Sequence, residues 1–180
     1  LEDIAKEGIP LVMISQDRAL VPLDVVVIDD FMGGYLATRH LISLGHKTIA
    51  CIAGDGSTTG EKDRLKGFQK AMDEAGIKVN ESLIAGTGFS LECGKKAAAQ
   101  IFESNIPTAV FAMNDVLACG VIQTAREWGL QVPTDLSVIG FDNTFLAEMT
   151  DPPLTTVSQP IEEMGRRAAE LLAEEISGEK

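Results

Sequence analysis

Short apolar runs alternate along the chain with segments in which apolar residues recur at helical spacing. Each run spans four to six residues, which suits a buried strand and is too short for a helix. The predicted strands lie at 10–15, 25–28, 48–53, 82–85, 108–113, 136–141 and 154–157. The predicted helices lie at 33–44, 63–75, 91–102, 115–129 and 161–176. This alternation predicts right-handed βαβ units and a mostly parallel sheet covered on both faces, which is an α/β fold.

Polar residues stand at the carboxyl ends of four predicted strands. They are Ser15, Asp29, Asn114 and Asp142. Because parallel strands end at a shared edge, and ligands of open α/β sheets bind at that edge, these side chains predict a binding rim. The plainer alternative is turn and cap chemistry, with Asp115 as the N-cap of the helix that follows the strand 108–113.

The side chains near this rim suit the reversible recognition of a small polar molecule. Arg64 offers a planar fork that can donate two hydrogen bonds to neighbouring oxygens. Asn114 can both donate and accept, Asp142 can accept from adjacent hydroxyls, and Phe89 can lie against the apolar face of a ring. The alternatives are that Arg64 is a solvated helix charge and that Phe89 is a core aromatic.

No catalytic constellation is recognisable in the sequence. A G-x-S-x-G elbow and both phosphate-binding glycine motifs are missing, and the glycine-rich GDGSTTG matches neither of the latter. His40 and His46 lie in or just after a helix, where a structural role is expected. Cys51, Cys93 and Cys119 are scattered in apolar surroundings, which predicts reduced thiols and no metal site. We expect no cofactor and no enzyme activity.

Charge and composition narrow the class of protein. The 180 residues are 45% hydrophobic and carry a net charge of -12, which disfavours direct contact with a nucleic acid backbone. No apolar run reaches the roughly 20 residues that span a membrane. With three reduced thiols expected, a cytoplasmic location is favoured. The first residues lack an initiator Met and look like the end of a helix, so we expect a fragment of a longer protein.

Several ordered motifs together resemble one family. They are Leu44-Gly45-His46-Lys47 with TIACIAG, Arg64 with Gly67-Phe68, PTAVFAMNDVLACG, VPTDLSVIGFDN from Val132 and DPPLTTVSQP from Asp151. At this spacing they resemble the effector-binding domain of the LacI/GalR family of bacterial transcription regulators, and the resemblance covers nearly the whole chain.

The resemblance implies a periplasmic-binding-protein-like type I fold. Such a domain has two Rossmann-like lobes with parallel sheets, joined by three crossovers, with the effector bound between the lobes. Residues 1–47 would form part of an incomplete N-terminal lobe, and 48–150 the C-terminal lobe. Residues 151–180 would form the return crossover and a final helix packed on the N-terminal lobe.

The resemblance also implies a set of ligand-binding residues. Arg64, Asn114 and Asp142 would hold effector hydroxyls or polar edges. Phe89 would contact a ring, and Gln159 would lie near the return crossover. Ser15 and Asp29 are further candidates from the N-terminal lobe, although family members often carry Asp-Asn where this chain has Asp29-Asp30.

On this interpretation the chain senses a sugar, nucleoside or purine for a repressor. The repressor would be a homodimer and would bind operator DNA only through a missing N-terminal helix-turn-helix. The alternative is an extracytoplasmic sugar-binding protein of a transporter, which shares the fold. The upstream coding sequence would separate the two, because a helix-turn-helix supports the regulator and a signal peptide supports the transporter component.

Overall fold

The computed structural model describes residues 7–14 and 23–178. Its strands are β1 Val12–Ile14, β2 Asp24–Val26, β3 Ile49–Ile52, β4 Ile84–Ala85, β5 Ala109–Ala112, β6 Ser137–Asp142 and β7 Thr155–Ser158. Its helices are α1 Asp30–Ser43, α2 Thr59–Glu74, α3 Leu91–Ser104, α4 Asp115–Glu127, α5 Phe145–Met149 and α6 Ile161–Ser177, and a 3-10 turn spans Glu81–Leu83. The chain divides into two compact units.

The smaller unit takes its described residues from before Asp30 and from after Gln159. In it β1 and β2 pair in parallel, with Val12 opposite Asp24. The helix α6 packs on both strands. Its Glu175 carboxylate accepts a hydrogen bond of 3.2 Å from the backbone N–H of Leu11. This unit is therefore a short parallel pair covered by one helix.

The larger unit, Asp30–Gln159, is built on a five-stranded parallel sheet. The strand order is β4-β3-β5-β6-β7, and every residue of β3 and β5 is buried. The helices α1 and α2 pack against each other, as do α3 and α4. Since parallel crossovers are right-handed, the two helix pairs cover opposite faces of the sheet. The predicted α/β fold with parallel strands is confirmed.

Glycines bring the two helices of each pair into backbone contact. A Cβ atom on Gly34 of α1 would lie 2.2 Å from the carbonyl oxygen of Arg64, and one on Gly67 of α2 would lie 2.1 Å from that of Phe31. Gly94 and Gly120 serve the other pair, with distances of 2.6 and 2.5 Å to carbonyl oxygens of the facing helix. The crossing of α1 and α2 therefore fixes the backbone at Arg64.

His46 closes the amino edge of the same sheet. Its Nδ1 lies 3.0 Å from the hydroxyl of Thr108 and its Nε2 lies 3.0 Å from the hydroxyl of Ser137. The ring thus joins the segments that lead into β3, β5 and β6. This is the structural role predicted for His46.

Several elements differ from the prediction. The helix α2 begins at Thr59, four residues earlier than predicted, because the side chain of Thr58 accepts a hydrogen bond of 3.1 Å from the N–H of Glu61. The short helix α5 was not expected. The helix α1 and the strand β7 both lie in the larger unit, and the predicted lobe boundaries at 47 and 150 stay predictions. That the two units are the predicted lobes stays a prediction.

Candidate functional site

In the five-stranded sheet the order of the strands reverses between β3 and β5. From β3 the chain moves outward to β4, then returns past β3 to β5 on the other side. The crevice at such a switch point, beyond the carboxyl ends of the strands, is the common ligand site of open α/β sheets. The segments that follow β3, β5 and β6 therefore define the candidate site.

Arg64 is the central side chain at this edge, and it is only 2% exposed. Its Nε donates a hydrogen bond of 2.7 Å to Oδ1 of Asp30, the first residue of α1. Its Nη1 donates to the carbonyl oxygen of Met113, which directly follows β5. The guanidinium lies over the Phe141 ring, with Cζ 3.6 Å from the ring centroid, a cation–π geometry. An ion pair, a carbonyl and a ring thus hold the fork in one orientation.

The second terminal nitrogen of Arg64, Nη2, is buried and has no hydrogen-bond partner among the described residues. Buried polar groups in proteins are hydrogen-bonded in the great majority of cases, since an unpaired donor costs about 1–3 kcal/mol. The other two nitrogens are engaged, so Nη2 is the part of the fork that can still donate a hydrogen bond. Arg64 is not the solvated helix charge of the alternative interpretation.

Asp142 lies beside Arg64 at the end of β6. Its Oδ1 is 3.8 Å from Nη1 of Arg64 and accepts a hydrogen bond of 2.6 Å from Nε2 of Gln159. Burial raises the pKa of the Asp142 carboxyl above its ordinary value, while the Arg64 charge and the Gln159 bond act in the opposite direction. The structure therefore brings together Arg64, Asp142 and Gln159, three of the predicted site residues.

Asn114 takes the cap role that was expected of Asp115. Asn114 is the N-cap of α4, and its side-chain oxygen accepts a hydrogen bond of 2.7 Å from the N–H of Leu117. The prediction that Asp115 is the N-cap is wrong. Its fully buried carboxylate instead accepts from the N–H and hydroxyl of Thr144, at 2.6 and 3.0 Å, and from the hydroxyl of Thr156, at 2.6 Å. Asp115 therefore joins α4 to the segments after β6 and within β7.

Phe89 lies in the loop between β4 and α3. Its half-buried ring covers Gly54, just beyond β3, where an added Cβ would lie 2.2 Å from the ring Cζ. The ring therefore stands at the carboxyl edge without being enclosed in the core. Its contact with the apolar face of a ligand stays a prediction.

The two remaining candidates belong to the first part of the chain. Asp29 is exposed and belongs to the smaller unit, and Ser15 lies outside the described residues. Their roles stay predictions.

Sequence reasoning missed Asp30 as the partner of Arg64. An acidic residue at the start of a helix is explained by its favourable interaction with the helix dipole. The partner of Asp30 lies 34 residues away in the sequence, so no local pattern indicates it. The departure from the family's Asp-Asn pair at this position was the signal that could have identified it. Phe141 was equally hidden, because it belongs to an apolar run that predicts only a strand.

Within the described ranges, no three His, Cys, Asp or Glu side chains are grouped so that they could hold a metal ion. In the same ranges no helix has the length and apolar character needed to cross a membrane. The thiol of Cys51 is buried, and those of Cys93 and Cys119 are half-buried.

Residues 38–180 match the family of periplasmic binding protein-like domains. The chain is 66% identical over 165 residues to the HTH-type transcriptional regulator DegA of Bacillus subtilis, covering 92% of this chain and 49% of that protein. It is 41% identical over 172 residues to the HTH-type transcriptional repressor PurR of Photobacterium profundum, covering 95% and 52%.

A solved structure shows the same fold. A LacI family transcriptional regulator from Enterococcus faecium with bound ribose superposes with a TM-score of 0.89 at 39% identity, covering 98% of this chain and 65% of that one. The chain spans about half the length of the curated relatives it matches.

Proposed function

Because the chain belongs to the periplasmic binding protein-like domain family, in the form carried by LacI-type transcription regulators, we propose that it is the effector-sensing part of a transcriptional repressor. The observation that carries this proposal is the buried, unpartnered Nη2 of Arg64 at the carboxyl edge of the larger unit. The effector is a small sugar- or nucleoside-like molecule, whose oxygens satisfy this donor.

The proposed site combines a donor, an acceptor and an apolar surface. Nη2 of Arg64 donates to one ligand oxygen, the carboxylate of Asp142 accepts from a hydroxyl, and Asn114 adds its amide. Gln159 orients Asp142, and Phe89 packs on the ring of the ligand. The ribose bound to the Enterococcus faecium relative supports a ligand of this kind. Ser15 and Asp29 are proposed to add contacts from the N-terminal side.

The sensing mechanism is a shift between two conformations of the full-length protein. Effector bound at the carboxyl edge stabilises the conformation in which the site is better formed, and operator affinity changes with that population. Such a coupling is reciprocal and needs about 1–3 kcal/mol of difference in effector affinity between the two conformations. The acidic chain described here does not itself contact DNA, which is bound by a helix-turn-helix elsewhere in the protein, in the cytoplasm.

We further propose that the protein is a homodimer and that one face of the larger unit takes part in its interface. Phe145 and Met149 of α5 are 72% and 74% exposed. Beside them α4 and α5 form a mostly apolar groove of about 500 Å³, lined in part by Val116, Cys119 and Leu146. Exposed apolar surface of this kind marks interaction sites in soluble proteins.

The sensor function is tested on the full-length protein. A thermal-shift screen with pentoses, hexoses, disaccharides, nucleosides and their phosphate esters identifies the effector, since a ligand at 100 times its dissociation constant adds about 2.7 kcal/mol of stability. Operator sequences are selected from random DNA, and operator affinity is then measured with and without that ligand. We expect a change of roughly 5- to 150-fold. An unchanged operator affinity at saturating ligand would contradict the proposal.

A further inference from the structure

The charge at the candidate site points to one class of ligand. We infer that the effector is an uncharged polyhydroxyl compound, a free sugar or a nucleoside, and that Asp30 sets this preference over phosphate esters and carboxylic acids. The inference rests on the proposed function, which leaves the charge of the effector open.

The positive charge of Arg64 is already balanced within the protein. Asp30 Oδ1 lies 2.7 Å from Nε, and Asp142 Oδ1 lies 3.8 Å from Nη1. With the first pair almost completely buried, Asp30 is weakly screened by solvent and acts at close to full strength. An anion that approached Nη2 would therefore meet a guanidinium whose charge two carboxylates already compensate.

The wider environment of Arg64 is acidic. Among the described residues the buried charged side chains are Arg64 and three acids, Asp30, Glu61 and Asp115. Two of these acids stand at the carboxyl edge with their oxygens engaged, Glu61 by the N–H of Gly56 and Asp115 by the two threonines described above. A phosphate group brought to this edge would add negative charge to a region that already has an excess of it.

The backbone groups that most often bind phosphate are partly occupied by side-chain caps. Helix N-termini bind anions through their unpaired N–H groups. At the carboxyl edge, however, the side chains of Thr58, Ser90 and Asn114 each cap one of the helices α2, α3 and α4, accepting from an N–H of the first turn. One N–H of each helix end is thus satisfied by the protein itself, which weakens the second common means of binding a phosphate.

Hydroxyl groups of a ligand complement the donor and the acceptor that the site still offers. Nη2 of Arg64 needs an acceptor, whereas the carboxylate of Asp142 can accept from a donor besides Gln159. A sugar hydroxyl can act in both ways, so two vicinal hydroxyls can bond to Arg64 and Asp142 together. A fully ionised phosphate has acceptors only, and it would face the Asp142 carboxylate without a proton to share.

Asp30 differs from Asp142 in that it bonds to Arg64 and is not proposed to contact the ligand. Its Oδ1 bonds to Nε while Nη2 keeps no hydrogen-bond partner among the described residues, so Asp30 adjusts the charge of the fork without taking up its last donor. The substitution Asp30→Asn retains a side-chain oxygen that can accept from Nε. It removes one negative charge and leaves Arg64 less compensated. Asp30 is therefore a specificity-determining residue that acts through Arg64.

The test compares neutral and charged forms of one ligand by isothermal titration calorimetry on the full-length protein. The probes are ribose, glucose, cellobiose and adenosine, each beside its phosphate monoester. For whichever parent compound binds, we expect its monoester to bind about tenfold more weakly or worse. We expect Asp30→Asn to shrink that ratio several-fold by favouring the ester. The exposed substitution Asp73→Asn, which removes the same charge from α2, should leave the ratio unchanged.

If Asp30→Asn fails to fold, the affinities of the wild-type protein for each parent compound and its monoester still test the preference for an uncharged ligand. A monoester that binds as tightly as its parent compound overturns the inference while leaving the sensor function in place. An unchanged ratio in a folded Asp30→Asn protein overturns the role of Asp30. If neither form of any compound binds, and the broader screen also finds no ligand, the proposed function fails and the inference with it.

Discussion

At the scale of single residues, Arg64 is the most informative side chain, because it is buried in the fold and is also a candidate ligand contact. Three of its interactions hold the guanidinium in place, with Asp30, Met113 and the Phe141 ring, and one nitrogen is left over. A purely structural arginine would be expected to satisfy its buried donors internally. The hypothesis that Arg64 binds a ligand therefore rests on Nη2, the donor without a partner among the described residues.

The substitution Arg64→Ala should destabilise the fold as well as the site. It leaves the Asp30 carboxylate buried without its partner, and breaking a buried pair from one side costs about 3–5 kcal/mol. Urea unfolding measures this loss. The control Arg39→Ala removes an exposed arginine of α1 and should change stability by about 1 kcal/mol or less. Equal effects of the two substitutions would show that the Asp30–Arg64 pair is not buried as described.

Asp142 gives a prediction about pH. Burial raises its pKa above the ordinary 3.8, so the folded protein binds this proton more tightly than the unfolded chain does. The contribution of the protonated group is fully present below pH 3.8 and is lost as the pH rises through the folded pKa. Asp142→Asn removes this dependence. The stability of the variant relative to wild type should therefore increase from acidic to neutral pH in urea unfolding series, and a relative decrease would contradict the assigned direction.

The sequence was informative about residues that follow strands and uninformative about their partners. Asp142 could be placed at the edge because strand ends converge in a parallel sheet. Arg64 and Phe89 were candidates for their chemistry, and Gln159 only through the resemblance to the family. Asn114 and Asp115 could not be told apart, since both are good cap residues. Their roles are decided by Thr144 and Thr156, which are distant in sequence.

At the scale of elements, apolar runs predicted the strands well because both faces of a parallel sheet are buried. The sequence could not show which helix packs on which strands. The helix α1 precedes the first strand of the large sheet, yet it belongs to that unit because Gly34 and Gly67 let it lie directly on α2. The start of α2 was hidden in a glycine-rich loop, where Thr58 alone defines the cap.

The crossing of α1 and α2 can be tested with two glycines. Gly34→Ala would place a methyl group 2.2 Å from the backbone oxygen of Arg64, and overpacking against backbone should cost about 1–3 kcal/mol or more. Gly165→Ala in α6 meets nothing within 4 Å and should stabilise its helix by roughly 0.5–1 kcal/mol. Thermal or urea unfolding compares the two. A neutral Gly34→Ala would contradict the close approach of these helices.

At the scale of the whole molecule, the two edges of the large sheet differ in purpose. The amino edge is closed by His46 and its two hydroxyl partners, whereas the carboxyl edge carries an unpartnered buried donor. The net charge of -12 disfavours contact of this chain with DNA, and we propose that another part of the full-length protein makes that contact. Resemblance of motifs predicted this division from sequence, but the charge balance around Arg64 could be seen only in three dimensions.

Whether the buried donor of Arg64 holds the effector is decided by calorimetric titration of the identified effector into full-length wild type, Arg64→Lys and Arg39→Lys. Lysine at position 64 keeps a positive charge near Asp30 but lacks the fork that presents Nη2. We predict that Arg64→Lys remains folded and binds the effector about 10- to 150-fold more weakly, the value of a charged hydrogen bond, while Arg39→Lys binds as wild type does. Undiminished binding by Arg64→Lys would contradict the claim that this buried donor holds the effector.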